Sequence, residues 1–365
     1  MSTILGVEST CDETGIGIVK DGISLANCIA SSADEHARWG GVIPEIASRA
    51  HLEALEPTLN RALEKANISL SEIDAVSVAA GPGLAGCLAV GASYAKGLAY
   101  ALQVPLFGVN HVIAHIFAGS LSSQTSTSFT SSTSTTSSIS TISTPSFPES
   151  FIGLVVSGGH TSIIKKAGEK ISVIGSTTDD AAGECFDKVG RLLGLDYPAG
   201  EKIDRLAKDG DPNFVDFPKG YTQKKHYENH RFDFSFSGLK TAVARFLESN
   251  ENQIENVQFR KDVSAALAKS VSEVLVDKTL DAAKFFEIDS IVIGGGFSAN
   301  SQLREKFKKC CTELDFNLFI PPLDLCTDNG AMIAKLGEIL FEKGAGPSPL
   351  DFSIDSSMPL TRLKM

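Results

Sequence analysis

Positive charge is what this sequence is short of. Its 365 residues carry 33 lysines and arginines against 44 aspartates and glutamates, a formal net charge of −11. A chain-wide basic surface that grips nucleic acid non-specifically is therefore excluded, and any polyanion must meet a local basic patch or a helper protein. Paired cysteines are missing too. Cys11, Cys28, Cys87, Cys185, Cys310, Cys311 and Cys326 are odd in number, scattered and without a C-x-x-C spacing. Neither a disulfide framework nor a thiolate zinc site is indicated, and a reducing compartment suits them. The longest uncharged apolar run, Ala75 to Ala95, is broken by Gly81-Pro82-Gly83, so strand, turn and buried helix explain it better than a membrane span. No secretory or transit segment is read at the start, so a cytoplasmic protein with no membrane contact is expected.

What is present describes a globular chain. Apolar residues make up 42% and charged residues 21%, ordinary values for a folded protein. Single cores stop growing near ~250–300 residues, so two domains are expected. Between Ser120 and Ser150 the chain is almost all Ser and Thr. Such a stretch buries too little apolar surface to offset its ordering entropy and reads as a flexible surface insertion.

The two halves on either side of it resemble each other. Ile4-Leu5-Gly6-Val7-Glu8-Ser9, a polar turn and Gly15–Val19 match Phe151–Val156, Ser157-Gly158-Gly159-His160-Thr161 and Ser162-Ile163-Ile164. Both read as strand, short turn, strand. Further on, Glu72-Ile73-Asp74 ahead of Ala75–Ala80 matches Glu287-Ile288-Asp289 ahead of Ser290–Ile293. Amphipathic helices alternate with these strands: Leu52, Leu55, Leu59 and Leu63 form one stripe, and Val263, Leu267, Val271 and Val274 another. The pattern is α/β with two duplicated sheet domains.

Glycine turns offer places for an anion. Ser157-Gly158-Gly159 and Gly294-Gly295-Gly296 each follow a strand and can bring backbone N–H groups close to a phosphate. Gly81-Pro82-Gly83-Leu84-Ala85-Gly86 matches G-x-G-x-x-G, but no acidic residue lies between Asp74 and Glu149 to hold a ribose, so it reads as a tight packing turn. His111 and His115 sit at i and i+4 after an apolar run, the spacing at which two imidazoles share one helix face and can hold one metal ion. Val112 follows His111, so the H-E-x-x-H arrangement of a zinc protease is absent. Asp328 can complete a His, His, Asp site or cap the helix that follows it. A second pair, His226 and His230, lies among Lys219, Lys224, Lys225 and Arg231; a solvated loop and a phosphate-binding patch are its two readings.

Together, Gly6–Thr14, Gly40–Glu45, Asn110-His111 with His115, Val156–Thr161, Asp180–Glu184, Phe234–Lys240 and Asp328–Ala331 resemble the TsaD family of tRNA N6-adenosine threonylcarbamoyltransferases, in its bacterial branch. The resemblance covers nearly the whole chain except the Ser/Thr-rich stretch. It implies an actin/Hsp70/sugar-kinase-like (ASKHA) fold of two duplicated RNase H-like domains around a cleft. The boundaries expected are 1–118 with a returning helix near 328–345, an insertion at 119–150, and 151–327 with a helical insertion near 178–260. It implies transfer of a threonylcarbamoyl group from threonylcarbamoyl-adenylate to N6 of the adenosine just 3′ of the anticodon, in tRNAs reading codons that start with A, with AMP leaving. The metal ligands implied are His111, His115 and Asp328, holding one divalent ion, iron first and zinc or manganese as alternatives. The substrate-binding residues implied are Val155, Val156, Ser157, Gly158, Gly159, Asp187, Gly200, Asp204 and Asn300, with Asp12 and Glu13 as the catalytic carboxylates. TsaB-like and TsaE-like accessory proteins are the implied partners beside tRNA. The competing readings are an ASKHA-type small-molecule kinase, a metal-dependent glycoprotein endopeptidase and a non-catalytic actin-like module; only a metal-dependent enzyme needs the apolar histidine pair.

Overall fold

In a computed structural model, residues 2–123, 147–223 and 226–365 are described. The first half of the chain opens with β1 (Thr3–Glu8), β2 (Glu13–Lys20) and β3 (Ile23–Ser31), then α1 (Ala33–Ala37) and α2 (Pro44–Ala66). It continues through β4 (Ala75–Gly81), α3 (Ala85–Leu102), β5 (Leu106–Asn110), α4 (His111–Phe117) and the two-residue β6 (Ser122–Ser123). The second half opens with β7 (Phe151–Val156), β8 (Thr161–Ala167) and β9 (Lys170–Ser176). Five helices follow: α5 (Ala182–Leu192), α6 (Gly200–Ala207), α7 (Tyr227–His230), α8 (Ser237–Glu248) and α9 (Val257–Phe285). The half closes with β10 (Ser290–Gly294), α10 (Ser301–Leu314), β11 (Asn317–Phe319) and α11 (Gly330–Glu342).

The strand orders show the duplication directly. One sheet runs β5-β4-β1-β2-β3-β6 and the other β11-β10-β7-β8-β9. In each, an antiparallel meander of three strands is extended by two parallel strands on the side of its first member. Both meanders shift register in the pairing of their second and third strands, between Ile18 and Val19 and between Ile163 and Ile164. The expected α/β architecture of two duplicated domains is therefore what the chain adopts.

The helices that follow the fifth strand of each repeat are exchanged toward the centre. α4 packs on β7 and β10 of the second sheet as well as on β4 and β5, and α11 packs on β1, β2 and β4 and meets α4. Both start at an asparagine whose side chain accepts a backbone N–H of the first turn: Asn110 from Ile113, Asn329 from Met332. Close approach of α11 to the first sheet depends on glycine. A Cβ on Gly330 would overlap the Gly17 nitrogen, and one on Gly6 would overlap the Gly330 oxygen.

Two expectations are corrected. Leu52 is 70% exposed and leaves the α2 stripe, which runs instead through Ala47, His51, Leu55, Leu59 and Ala62. The reason is polar: His51 is drawn inward to Thr14 Oγ1 at 2.7 Å and the Cys11 carbonyl oxygen at 3.0 Å. The other stripe, Val263, Leu267, Val271 and Val274, is buried throughout. The Ser/Thr-rich stretch is also shorter than expected as an insertion. Leu121 is buried, and Phe147 packs edge-on or tilted among Phe117, Phe151 and Phe319, because these apolar side chains supply the burial that Ser and Thr lack. The expected flexibility of its remainder, 124–146, falls outside the described residues. Among the described residues, no helix is long and apolar enough to cross a membrane.

Candidate metal centre and cleft

His111 opens α4 and His115 lies one turn later, so both imidazoles project from one face, with ring centroids 4.9 Å apart. Asp328 arrives from the second repeat, two residues ahead of α11. The cap of α11 is Asn329, which leaves the Asp328 carboxylate free of helix capping. Its Oδ1 lies 3.0 Å from His115 Nε2 and 3.6 Å from His111 Nε2. One ligand atom from each residue falls within 4.8 Å of the others. Neighbouring ligands on an ion with bonds of ~2.1 Å lie roughly 3 Å apart, so the donors fit a divalent ion with positions left open. The pair of repeats thus contributes jointly: two imidazoles from α4, one carboxylate from the approach to α11.

Glu8, at the end of β1 and fully buried, completes this arrangement from behind. Its Oε2 lies 2.8 Å from His111 Nδ1, and its Oε1 accepts from the Thr10 backbone N–H at 2.7 Å and the Thr10 hydroxyl at 2.5 Å. With Nδ1–H donated to Glu8, His111 Nε2 faces Asp328 and the ligand position, where an ion would take the place of the Nε2 proton. Burial works against a charge on His111, but the carboxylates of Glu8 and Asp328 overcome it and push its pKa up to about 9. Burial likewise opposes ionisation of Asp328, yet His111 and His115 hold its carboxyl well below the ordinary range. Glu8 and Thr10 lie within the Gly6–Thr14 motif but were given no role from sequence, although a glutamate directly after the apolar run Ile4–Val7 was itself a signal.

Asp12 and Glu13 stand at the turn between β1 and β2, on the same side. Burial, followed by the negative charges of Asp328 and Asp12, pushes Glu13 up to about 10. Opposite lies the second repeat. A cavity of about 370 Å³ is lined by Asp34 and Gly40 from the first half and by Asp187, Arg191, Tyr197 and Lys202 from the second. Arg191 Nη2 donates to the Gly40 carbonyl at 2.7 Å, tying the halves across it. Tyr197 is held above its ordinary pKa by burial and then by Asp12 and Asp187, which places these acidic groups around one space. Arg191 and Tyr197 are further residues that the motifs did not single out.

The remaining expected substrate residues fall in two groups. Val155 and Val156 end β7 and are buried, and Ser157-Gly158-Gly159 turns away from it. A methyl group at Gly158 or Gly159 would meet nothing within 4 Å, so these glycines leave open space rather than permit close packing. His160, next in the turn, is half-buried beside the candidate metal cluster: desolvation first, then His111 and His115, lower its pKa. On the far side, Asp187 Oδ1 accepts the Ala199 N–H at 2.8 Å just ahead of Gly200. Asp204 Oδ1 accepts from Asn300 Nδ2, the Ser301 N–H and the Ser301 hydroxyl, at 2.9, 2.9 and 2.8 Å. Asn300 Oδ1 in turn caps α10 through the Leu303 N–H at 3.0 Å.

Two decoys resolve as packing. A Cβ on Gly83 would lie 2.8 Å from the Thr10 Cβ and one on Gly86 2.5 Å from the Ser48 Oγ, so the G-x-G-x-x-G turn is a close-approach turn. His230 stacks on Tyr221 and pairs with Asp233 at 3.1 Å, so the second histidine pair does not form a ligand set; Lys224 and Lys225 of that patch lie outside the described residues.

Comparison with known proteins now decides the family. The family model described as TsaD, tRNA N6-adenosine threonylcarbamoyltransferase, matches residues 24–132 and 127–335. The chain belongs to the TsaD family. Curated relatives in Bifidobacterium adolescentis and Bifidobacterium longum, both named tRNA N6-adenosine threonylcarbamoyltransferase, are 49% identical over 364 residues, 99% of this chain and 99% of each relative. TsaD proteins are transferases by that name, so the expected enzyme class holds. Among solved structures, full-length HypF in its phosphate- and nucleotide-bound form aligns with 94% of this chain and 47% of its own, at a TM-score of 0.57 and 14% identity. That likeness concerns the fold, which is of the ASKHA type.

Proposed function

We propose that this chain moves the threonylcarbamoyl group of threonylcarbamoyl-adenylate onto N6 of the adenosine just 3′ of the anticodon, in tRNAs reading codons that start with A. The observation that carries this reading is the convergence of His111, His115 and Asp328 beside the open Ser157–Gly159 turn, in a chain of the TsaD family. The working unit is a cleft between lobe 1–118, rejoined by the helix near 328–345, and lobe 151–327. The cytoplasm is its compartment.

His111 Nε2, His115 Nε2 and Asp328 would hold one divalent ion, iron first and zinc as the alternative. When bound, such an ion supplies Lewis acidity and orients ligand oxygens. The adenylate lies along the cleft. Backbone N–H groups of Ser157, Gly158 and Gly159 approach its phosphate, and Val155 and Val156 form the floor. Asp187 and Gly200 flank the nucleoside, and Asp204 holds Asn300 in place beside it. N6 of the tRNA adenosine attacks the carbamoyl carbon. A C–N bond forms, the C–O bond to the phosphate breaks, and AMP leaves. N6 is a poor nucleophile because its lone pair is delocalised into the ring, so its proton must be accepted as attack proceeds; the Asp12–Glu13 pair, which shares a hydrogen bond, takes it.

With a net charge of −11, the chain alone holds tRNA weakly, and TsaB-like and TsaE-like proteins complete the assembly. The test is reconstitution with unmodified tRNA, threonine, bicarbonate, ATP, an adenylate-forming enzyme and those partners, with the nucleoside read by mass spectrometry. His111→Ala is expected to lose bound metal and transfer together. Normal transfer by a metal-free variant, or no product with any combination of partners, would overturn the reading.

A further inference from the structure

We infer that α10, with the groove it forms against α9, binds the phosphodiester backbone of tRNA; this rests on the reading that tRNA is the substrate. In an acidic chain, α10 is a basic element: Arg304, Lys306, Lys308 and Lys309 stand against Glu305 and Glu313. Lys306 and Lys309 line, with Lys208 and Lys269, a cavity of about 570 Å³. Against these four lysines it has two acidic members, Glu273 and Glu305, and Glu273 is already occupied, paired with Lys219 and with Lys306 at 3.5 Å.

The remaining cations there are poorly compensated. Lys269 Nζ donates to the neutral Asn213 amide oxygen at 2.7 Å. Lys208 reaches Asp204 only at 4.0 Å and its side chain is 60% exposed. On the other flank of α10, Arg304 and Lys308 line a second groove of about 440 Å³, where Arg304 donates to the carbonyls of Ser298 and Pro321 at 3.0 and 3.1 Å. Neutral partners leave those charges able to act on an anion outside.

Position gives the patch its meaning. The N-cap of α10 is Asn300, which is bonded to Asp204 at the cleft. From there to Lys309 the helix rises ~13 Å, at 1.5 Å per residue. A strand presents one phosphate per ~3.4 Å of axis, so the cationic track spans several phosphates leading away from the place where the target base would sit. Exposed lysines on two flanks of one helix suit an extended polyanion better than one small anion, which would need donors converging on a point.

The experiment compares wild type with the triple variant Lys269→Glu, Lys308→Glu, Lys309→Glu, and with the milder triple change to Gln, in the presence of the accessory proteins. Unmodified tRNA is the probe, over a salt series. Replacement by Gln is expected to weaken tRNA binding roughly tenfold or more and to flatten the log–log salt slope by about 0.7–0.9 for each phosphate that is no longer neutralised. The Glu variant is expected to bind more weakly still. Adenylate binding without tRNA stays at the wild-type level in both, which also reports a folded cleft. Wild-type tRNA affinity and salt slope in the Gln variant would overturn the inference while leaving the transfer reading intact. Failure of wild type itself to bind and modify tRNA would remove both. Binding of inorganic phosphate or pyrophosphate that disappears in the variants, with tRNA binding unchanged, would assign the groove to a small anion and overturn it as well.

Discussion

Glu8 is fully buried, and its carboxylate is held by Thr10 on one oxygen and by His111 on the other. That contact selects the His111 tautomer and aims Nε2 at the ligand position. Partners of this kind behind a ligating histidine typically change metal affinity 10–100-fold when removed. Glu8→Gln, which preserves shape but can no longer accept on both oxygens, is therefore expected to weaken metal binding by about that factor in a chelator competition, with the fold retained. Unchanged affinity would show that His111 is oriented by its helix alone. The thiols give a second residue-scale prediction. Burial pushes Cys185 and Cys311 up to about 12, so at pH 8 both remain protonated and poorly nucleophilic. Cys28 and Cys310 are partly exposed. Timed alkylation read by mass spectrometry is expected to mark Cys28 and Cys310 well before Cys185 and Cys311; equal rates would mean that the interior opens faster than the reagent reacts.

Among the elements, α4 and α11 matter most, because each follows the fifth strand of its repeat, starts at an Asn cap and delivers ligands to one point. The helix faces were legible where the apolar stripe had no polar competitor, as in α9. In α2 the stripe departs at Leu52, because spacing cannot show that His51 has Thr14 and the Cys11 carbonyl waiting for it. Nor could local sequence show that Asn329 rather than Asp328 caps α11, a distinction that releases the carboxylate for the site. The seating of α11 yields the element-scale prediction. A methyl on Gly330 would overlap backbone atoms of Gly17 and Ile16, which no side-chain rotation relieves. Gly330→Ala is expected to cost about 3 kcal/mol or more in urea unfolding, at the upper end of overpacking penalties, and to reduce bound metal because Asp328 shifts with the helix. A wild-type unfolding midpoint would show that α11 can slide on the sheet.

At the scale of the whole molecule, the duplication could be read from paired strand–turn–strand motifs because both copies keep their apolar alternation and their glycines. The cross-repeat contacts could not. Glu8 meets His111 across 103 positions, and His115 meets Asp328 across 213, and only the folded topology brings such residues together. An ion held there would bridge α4 and the approach to α11, segments far apart in the chain that both pack on the first sheet. An ion bound there would favour the state in which α11 is seated beside α4, and the gain grows as RT ln(1 + [L]/Kd), about 2.7 kcal/mol at a free concentration one hundred times Kd. Chelated protein is accordingly expected to unfold at lower temperature than loaded protein, with the difference restored by iron or zinc and scaling with the logarithm of free metal. His111→Ala should remove most of the dependence, and Asp328→Asn should weaken it from the other repeat. If the metal raised the melting temperature equally in wild type and in both variants, it would be binding elsewhere, and the His111–His115–Asp328 cluster would not be the bridge between α4 and the approach to α11.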